Sequence, residues 1–378
     1  LGSDQCVFTC WFEKHFIILL IYVDDLICLT TSVALKERLF KAIAAAFDFE
    51  DKGGLKNFLG MKVSRNRSLK RTTLDMVACI KDKLKAFNIT DKKKTFVAYP
   101  SHDHEVGEPL QGDDVTLCRS MLGALIWVVV VRPDLCFTVS KLSKFMSKPH
   151  KLHLDIAYRV WRYLKSTIDD KLTYSIKGQN KEAILGVGYL HSFDSSCVTT
   201  GYVDANLEIP KSTTGYMFKM AGGNVISKCK KQPVVSVATY DSEYYAMSSC
   251  MLCAMWLHMW LNEANKFFLA AYGVPLINGP IVVNGDNSAV IRMVNEKAIS
   301  TRSRHIQLRW HKMMEAIQEK IAEAHGIMGK YNPADMFTKA LNGPDTTKWR
   351  LDLLGIKLVD KVQGLKLPSD INKKTVIK

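Results

Sequence analysis

The stretch Phe16-Ile17-Ile18-Leu19-Leu20-Ile21-Tyr22-Val23-Asp24-Asp25-Leu26-Ile27-Cys28-Leu29 decides how the first part of the chain is read. Two apolar runs, rich in β-branched and aromatic residues, flank a pair of adjacent carboxylates. Each run has the length and composition of a buried strand. The pattern predicts a β-hairpin with Asp24 and Asp25 at its tip and a body locked in the core. Neighbouring carboxylates repel each other and lose solvation, so the pair calls for a compensating cation. Hard oxygen ligands on a rigid turn suit Mg2+, which also bridges phosphate oxygens. An Asp-Asp turn between two core strands, without chemistry, is the competing reading of the stretch taken alone.

The chain of 378 residues has the length of two or three domains and buries a real core. Its 52 Lys and Arg against 37 Asp and Glu leave a formal net charge of +15. That balance favours polyanionic partners, nucleic acid above all. Ten cysteines are scattered without framework spacing and no secretory leader opens the sequence, which reads as reduced thiols in an intracellular protein. The longest apolar runs, Leu122 to Val131 and Met251 to Leu261, are too short to span a bilayer, so no membrane partner is expected. A start at Leu1 with a strand by about residue 16 reads as a piece cut from something longer.

Outward from the hairpin, residues 33–47 place apolar groups at helical spacing and predict an amphipathic helix packed on it. Gly53-Gly54 breaks that pattern, and Leu55 to Val63 returns to strand. A helix is expected from about Met76 to Phe87. From Asp91 to Asp114, Lys92-Lys93-Lys94, Pro100, Gly107, Pro109 and Gly112 mark an exposed connection. Three helices should follow from Val115 to Thr167, broken near Arg132-Pro133-Asp134 and Lys148-Pro149-His150.

Five segments then stand in a telling order: Tyr22-Val23-Asp24-Asp25, Phe58-Leu59-Gly60, Arg119-Ser120-Met121-Leu122-Gly123, Arg132-Pro133-Asp134 and Arg162-Tyr163-Leu164-Lys165. In order and spacing they resemble the Pol polyproteins of copia-type LTR retrotransposons. The resemblance implies that Asp24 and Asp25 belong to the palm hairpin of a reverse transcriptase, that Phe58 to Val63 lies near the primer grip, and that the helices after residue 70 are thumb and connection. It implies an RNA template and a DNA primer as partners of the parent polymerase. The family's polymerase also needs a third carboxylate from an upstream palm strand, and fingers. Only 23 residues precede Asp24, too few for either, so this chain alone should not polymerise.

The second half changes pattern. Val198 to Val203, Thr213 to Met220 and Asn224 to Ser227 read as strands, with Gly222-Gly223 as a turn. A long apolar helix is expected from Tyr240 to Glu263, then a strand at Ile281 to Val283, a short helix from Ser288 and a longer one from Ser303 to Ala324. This is an α/β layout of the ribonuclease H type. Four acids fall where such a fold gathers them: Asp204 at the end of the first strand, Glu243 in the first turn of the long helix, Asp286 after the fourth strand, and Asp335 opening a last helix. There Asn332 suits the N-cap and Pro333 the first helical position. Four converging carboxylates need cations; with two Mg2+ ions, for which Mn2+ can substitute, such a set activates water on a phosphodiester.

The family's ribonuclease H landmarks agree in order: Ser212-Thr213-Thr214-Gly215-Tyr216, Lys230-Lys231-Gln232, Ser242-Glu243-Tyr244, Asp286-Asn287, His305-Ile306 and Ala334-Asp335-Met336-Phe337-Thr338-Lys339. The resemblance carries the catalytic and metal-holding roles onto Asp204, Glu243, Asp286 and Asp335, with an RNA–DNA hybrid as substrate. The chain departs from the family pattern at Asn206-Leu207, where Asp-Trp is usual, and at Asp241, where Glu is usual. The loop after Asp204 is shorter, and an insertion at residues 181–197 carries Asp194, a rival to Asp204. Lys230, Lys231, Arg302, Arg304 and Arg309 flank the expected site and are the candidates for gripping phosphates, against a merely solvated basic face.

Other features read as structure. Cys250 and Cys253 have Cys-x-x-Cys spacing inside an apolar helix, which favours core cysteines over zinc or redox chemistry. The His-rich loop Ser101 to Glu105 has no partner cluster, Trp256, Trp260 and Trp310 read as packing, and His305 and His311 as structural or as aids to strand release.

The expected molecule is thus an α+β and α/β chain: a truncated reverse-transcriptase palm in residues 1–70, thumb and connection helices in 71–180, a ribonuclease H-like mixed-sheet domain in 181–341 and a basic, uninformative tail in 342–378. Its expected place is a cytoplasmic particle or the nucleus, as a dimer or beside a missing polymerase half. A catalytically inactive remnant that still binds nucleic acid is the alternative.

Overall fold

The computed structural model describes residues 1–91, 93–100, 107–175, 199–273, 275–296 and 307–356. The deciding stretch forms strands β2 (His15–Tyr22) and β3 (Asp25–Thr30), which pair antiparallel with Tyr22 opposite Asp25. Val23 and Asp24 are therefore the two-residue turn, and Val23 takes a positive φ of 54°, which β-branched residues rarely adopt. An unforeseen strand, β1 (Val7–Phe12), adds to the free edge of β2. The expectation of a hairpin locked in the core is corrected. Phe16, Ile17 and Ile18 of β2 are buried, but no residue of β3 is. Among the described residues, one face of this small sheet rests on Phe267 as the one fully buried side chain from elsewhere. The other faces helix α1 (Val33–Ala44) across an open groove of about 370 Å³ lined by Phe8, Phe12, Ile17, Leu19, Leu35 and Leu39. The helix begins where the Ser32 hydroxyl accepts from the Leu35 N–H.

A second sheet joins β4 (Asn57–Phe58), β5 (Met61–Asn66), β6 (Arg71–Asp75) and β7 (Leu172–Ser175), all antiparallel. Residue 70 therefore falls inside the β5–β6 hairpin. Between β6 and β7 the chain forms α2 (Val77–Ala86), α3 (Asp113–Val128), α4 (Cys136–Ser143) and α5 (Lys151–Ser166). The breaks stand at Pro133 and Pro149, as the two expected interruptions require, since proline has no N–H to continue a helix. Leu122, Leu125, Leu135, Trp161 and Leu164 form the core of this unit.

The second half is built on a five-stranded sheet in the order β10 (Gly223–Lys231), β9 (Thr213–Met220), β8 (Thr200–Asn206), β11 (Ile281–Gly285), β12 (Ala322–Gly326). The first three strands are antiparallel; β8, β11 and β12 run parallel. The mixed sheet with helices expected for this half is present. Helix α6 spans Thr239–Tyr272 and outruns its expected end at Glu263, because no proline or glycine interrupts it before Gly273, its left-handed C-cap. The helix expected from Ser303 to Ala324 is corrected: α8 covers Gln307–Gln318 and stops at Lys320, which has a φ of 54°, and residues 322–326 are strand β12. Alanine and glutamate at 322–324 favour helix, but Ala322 and Ala324 are buried on alternate positions against β11, and tertiary pairing overrides propensity. Helix α7 (Ser288–Glu296) precedes α8. The supposed tail is also corrected, since α9 (Gly343–Leu353) follows an Asn342 N-cap and buries Trp349, Arg350, Leu351 and Leu353. Among the described residues, no helix is long and apolar enough to cross a membrane.

Candidate metal centre

Asp204 lies near the end of β8, Asp286 directly after β11, and Asp335 in a short 3-10 turn, Pro333–Phe337. The parallel pairing of β8 with β11 brings the first two to one end of the sheet. The third arrives by local chemistry. Asn332 is fully buried: its amide donates to the Val203 carbonyl at 2.9 Å and its oxygen accepts from the Ala334 N–H at 3.1 Å. One side chain thus caps the turn and ties it to the strand beside Asp204, so the expected Asn332 N-cap is present although the element is a 3-10 turn. Glycine at 215 lets the turn lie flat on β9, because a Cβ there would stand 2.7 Å from Phe337 Cβ and 2.7 Å from Thr338 Cγ2.

Carboxylate oxygens of Asp204, Asp286 and Asp335 lie within 4.8 Å of one another, the one such group of three acids, cysteines or histidines among the described residues. Glu243, at the start of α6, stands beside this triad without joining it and accepts from the Ala205 N–H. Buried Gln232 fixes the start of that helix, donating to the Ser242 carbonyl at 2.9 Å and to Thr214 at 3.0 Å. Asp241 Oδ2 accepts from the Ala238 N–H at 3.2 Å, so the residue that departs from the family pattern caps α6. Burial, with Asp204 and Asp286 adding repulsion, pushes the Glu243 carboxyl up to about 9. Burial likewise pushes Asp204 up to about 7, although Lys339 and the Thr338 hydroxyl, which donates to it, pull the other way. Asp335 is raised by burial against the pull of its ion pair with Lys339 at 2.8 Å. Three hard oxygen donors with crowded, incompletely compensated charge fit a hard divalent cation.

The other expected site residues are placed as follows. Asp24 is exposed and Asp25 half-buried at the hairpin turn, outside any group of three ligands among the described residues. Lys230 is exposed on β10, whereas Lys231 forms an ion pair with Glu208 and donates to the Lys211 carbonyl. Arg309 is half-buried, donating to Tyr245 Oη at 2.8 Å with its guanidinium 3.8 Å from that ring, and so ties α8 to α6. Arg302, Arg304, His305, Asp194 and the His-rich loop 101–105 lie outside the described residues. Cys250 is buried in the core, as expected, and Cys253 packs against the same core. Trp260 and Trp310 pack against that core too, while Trp256 is partly exposed and donates to the Ser3 carbonyl at 3.2 Å. Thr338, Lys339 and Gln232 stood in the landmark segments but received no role from the sequence, because only the fold shows what they reach.

No family model matches the chain. Among curated proteins it is 27% identical over 352 residues to the retrovirus-related Pol polyprotein from transposon TNT 1-94 of Nicotiana tabacum, across 90% of this chain. It is 24% identical over 345 residues to the Pol polyprotein from transposon RE1 of Arabidopsis thaliana, again across 90% of this chain. Over nine tenths of its length the chain is thus similar to retrotransposon Pol polyproteins. It spans about a quarter of the length of those relatives, 24% of the tobacco Pol polyprotein and 22% of the Arabidopsis one. A shorter relative, the secreted RxLR effector protein 161 of Plasmopara viticola, is 36% identical over 143 residues, covering 36% of this chain and 89% of the effector. Among solved structures, an LC11-RNase H1 in complex with RNA/DNA hybrid aligns at a TM-score of 0.29 and 13% identity, over 37% of this chain and 93% of that one.

Proposed function

We propose that this chain is a piece of a retrotransposon reverse transcriptase–ribonuclease H polyprotein, and that its second half hydrolyses the RNA strand of an RNA–DNA hybrid. The observation that carries the reading is the convergence of Asp204, Asp286 and Asp335, with Glu243 beside them, from four separate elements at one end of a mixed sheet. Asp204, Asp286 and Asp335 would hold Mg2+, with Glu243 as a further ligand. Bound there, the ions supply an activated water and charge stabilisation for the leaving oxygen. The chain's own part is to hold the acids in register: Asn332 through Val203, Thr338 through Asp204, and Gln232 through the start of α6. Of the described basic candidates Lys231 and Arg309 are engaged within the fold, and Lys230, exposed on β10, is the one assigned to meet a hybrid's phosphates.

The first half, residues 1–175, is assigned to the polymerase part. Its β2–β3 hairpin carries Asp24-Asp25 as the palm turn, and α2 to α5 form thumb and connection; the ribonuclease H-like part runs from residue 199 and includes α9. Among the described residues the acids brought together are those of the hydrolytic step, so that step is the one assigned to this chain. The test is cleavage of an end-labelled RNA–DNA hybrid in Mg2+, beside Asp286→Asn. Cutting by the wild type and at least a hundredfold less by the variant is the expected result, on the order of the loss when a catalytic ligand is removed. Hybrid binding without Mg2+-dependent cutting would replace this reading with that of a nucleic-acid-binding remnant.

A further inference from the structure

The acidic cluster contains a cation of its own. Lys339 stands four residues after Asp335, and its Nζ is 2.8 Å from Asp335 Oδ1 and 3.9 Å from Asp204 Oδ2. Among the described residues no other side chain forms an ion pair with these carboxylates. The ammonium thus sits against two of the three acids whose oxygens converge within 4.8 Å. A divalent cation drawn to that point meets charge that is already partly cancelled, and a like charge beside it.

We propose that Lys339 is a resident counter-cation of the site: it balances Asp204 and Asp335 when no metal is bound, and it competes with a divalent cation for them. Two features make competition, rather than support, the outcome. First, the acids do not depend on Lys339 for their positions. The turn carrying Asp335 is fastened by Asn332 to Val203, and Asp204 is held by the Thr338 hydroxyl. Second, the Lys339 side chain is 44% exposed, so it can swing into solvent and give up its place. Neutralising it therefore leaves the oxygen donors in place and deepens their negative field. In this scheme Lys339 acts on the metal through the charge of the carboxylates and touches no reacting atom. The inference rests on the reading of the cluster as a metal centre.

The experiment is Mn2+ binding to the full chain, followed by the electron paramagnetic resonance signal of free Mn2+, for the wild type, Lys339→Gln, Lys339→Met, Lys339→Arg and Asp286→Asn. Both neutral variants should bind Mn2+ roughly two- to fivefold more tightly, the scale of one partly exposed ion pair. Lys339→Arg, which keeps the charge, should stay near the wild type. Unchanged or weaker binding in both neutral variants, with binding still lost in Asp286→Asn, would overturn the counter-cation role and leave the metal centre standing. Tightening in Lys339→Arg equal to that in Lys339→Gln would also overturn it, since charge would not be the cause. Absence of any Asp286-dependent Mn2+ binding would overturn the metal-centre reading and this inference with it.

Discussion

Asp204 is the residue on which the site's electrostatics turn. Its carboxyl is pushed from the ordinary value of 3.8 up to about 7, chiefly by burial. In the unfolded chain it loses its proton near the ordinary value. Between about pH 4 and 7 the folded, metal-free protein keeps a proton that the unfolded chain has released, so stability falls as pH rises through that window. Above about pH 7 the whole penalty is present, of the order of a few kcal/mol at about 1.4 kcal/mol per pH unit. Asp204→Asn removes it. In EDTA the variant should be more stable than the wild type at pH 8, and the two should converge at about pH 4; urea unfolding at both values checks this. Equal stability at pH 8 would mean that Asp204 is not held in a poorly solvated place. The four acids were legible as residues because each sits at the end of a strand or the start of a helix or turn, where a change of hydrophobic period marks the boundary. The restraints were not. Asn332 to Val203 is a contact across 129 positions, and Lys339 to Asp204 joins residues on different elements. No local pattern encodes either.

Among the elements, the 3-10 turn Pro333–Phe337 depends on β9 having no side chain at Gly215. A methyl group there would stand 2.7 Å from Phe337 Cβ and from Thr338 Cγ2, and 3.1 Å from the Phe337 carbonyl carbon, so the turn itself would have to move. Gly215→Ala should cost about 1–3 kcal/mol, the range for overpacking a filled core, and should weaken Mn2+ binding because Asp335 rides on that turn. Thermal melts with parallel Mn2+ titrations separate the two effects; a variant that loses stability but keeps wild-type affinity would show that Asp335 is positioned independently of the turn. Element type was readable where composition and period agree: the β2–β3 hairpin, the strands around Asp204 and the proline-broken helices. It failed where they conflict or where a partner decides. Strand β12 has the composition of a helix, and β1 is apolar on both faces yet mostly exposed. Helix α9 lies in a stretch whose composition reads as a basic tail, although Asn342, Gly343 and Pro344 open it with an N-cap and an early proline.

At the scale of the whole molecule, the helical unit and the five-stranded sheet are joined by buried polar chemistry as well as by apolar packing. Arg350 of α9 donates to Asp170 at 2.8 Å, both almost fully buried, just ahead of β7. Beside them Arg132 grips Asp134 through two bonds of 2.9 and 2.7 Å, and Tyr163 donates to the same carboxylate at 2.7 Å. Both guanidiniums lie within 6 Å of the Tyr163 ring, at 5.4 and 5.7 Å. The Thr173 N–H of β7 donates to the Leu354 carbonyl at 2.8 Å, and Lys141 of α4 reaches Glu208 at 2.8 Å, so the seam has polar contacts near both ends of β10, beside Gly223 and Lys231. Removing one partner of a buried pair leaves the other charged and unsolvated, which costs about 3–5 kcal/mol, whereas replacing both can cost much less. Arg350→Met should therefore destabilise the seam by that amount, and Arg350→Met with Asp170→Leu should recover a large part of it. Urea unfolding followed by the fluorescence of Trp161, in the helical unit, and of Trp349, in α9, reads the effect through single-tryptophan variants. Coincident transitions in the wild type that separate in Arg350→Met would show that this pair makes the two units unfold as one. Transitions that stay coincident, with a loss under about 1 kcal/mol, would place the coupling in the apolar contacts and the β7 backbone bond instead.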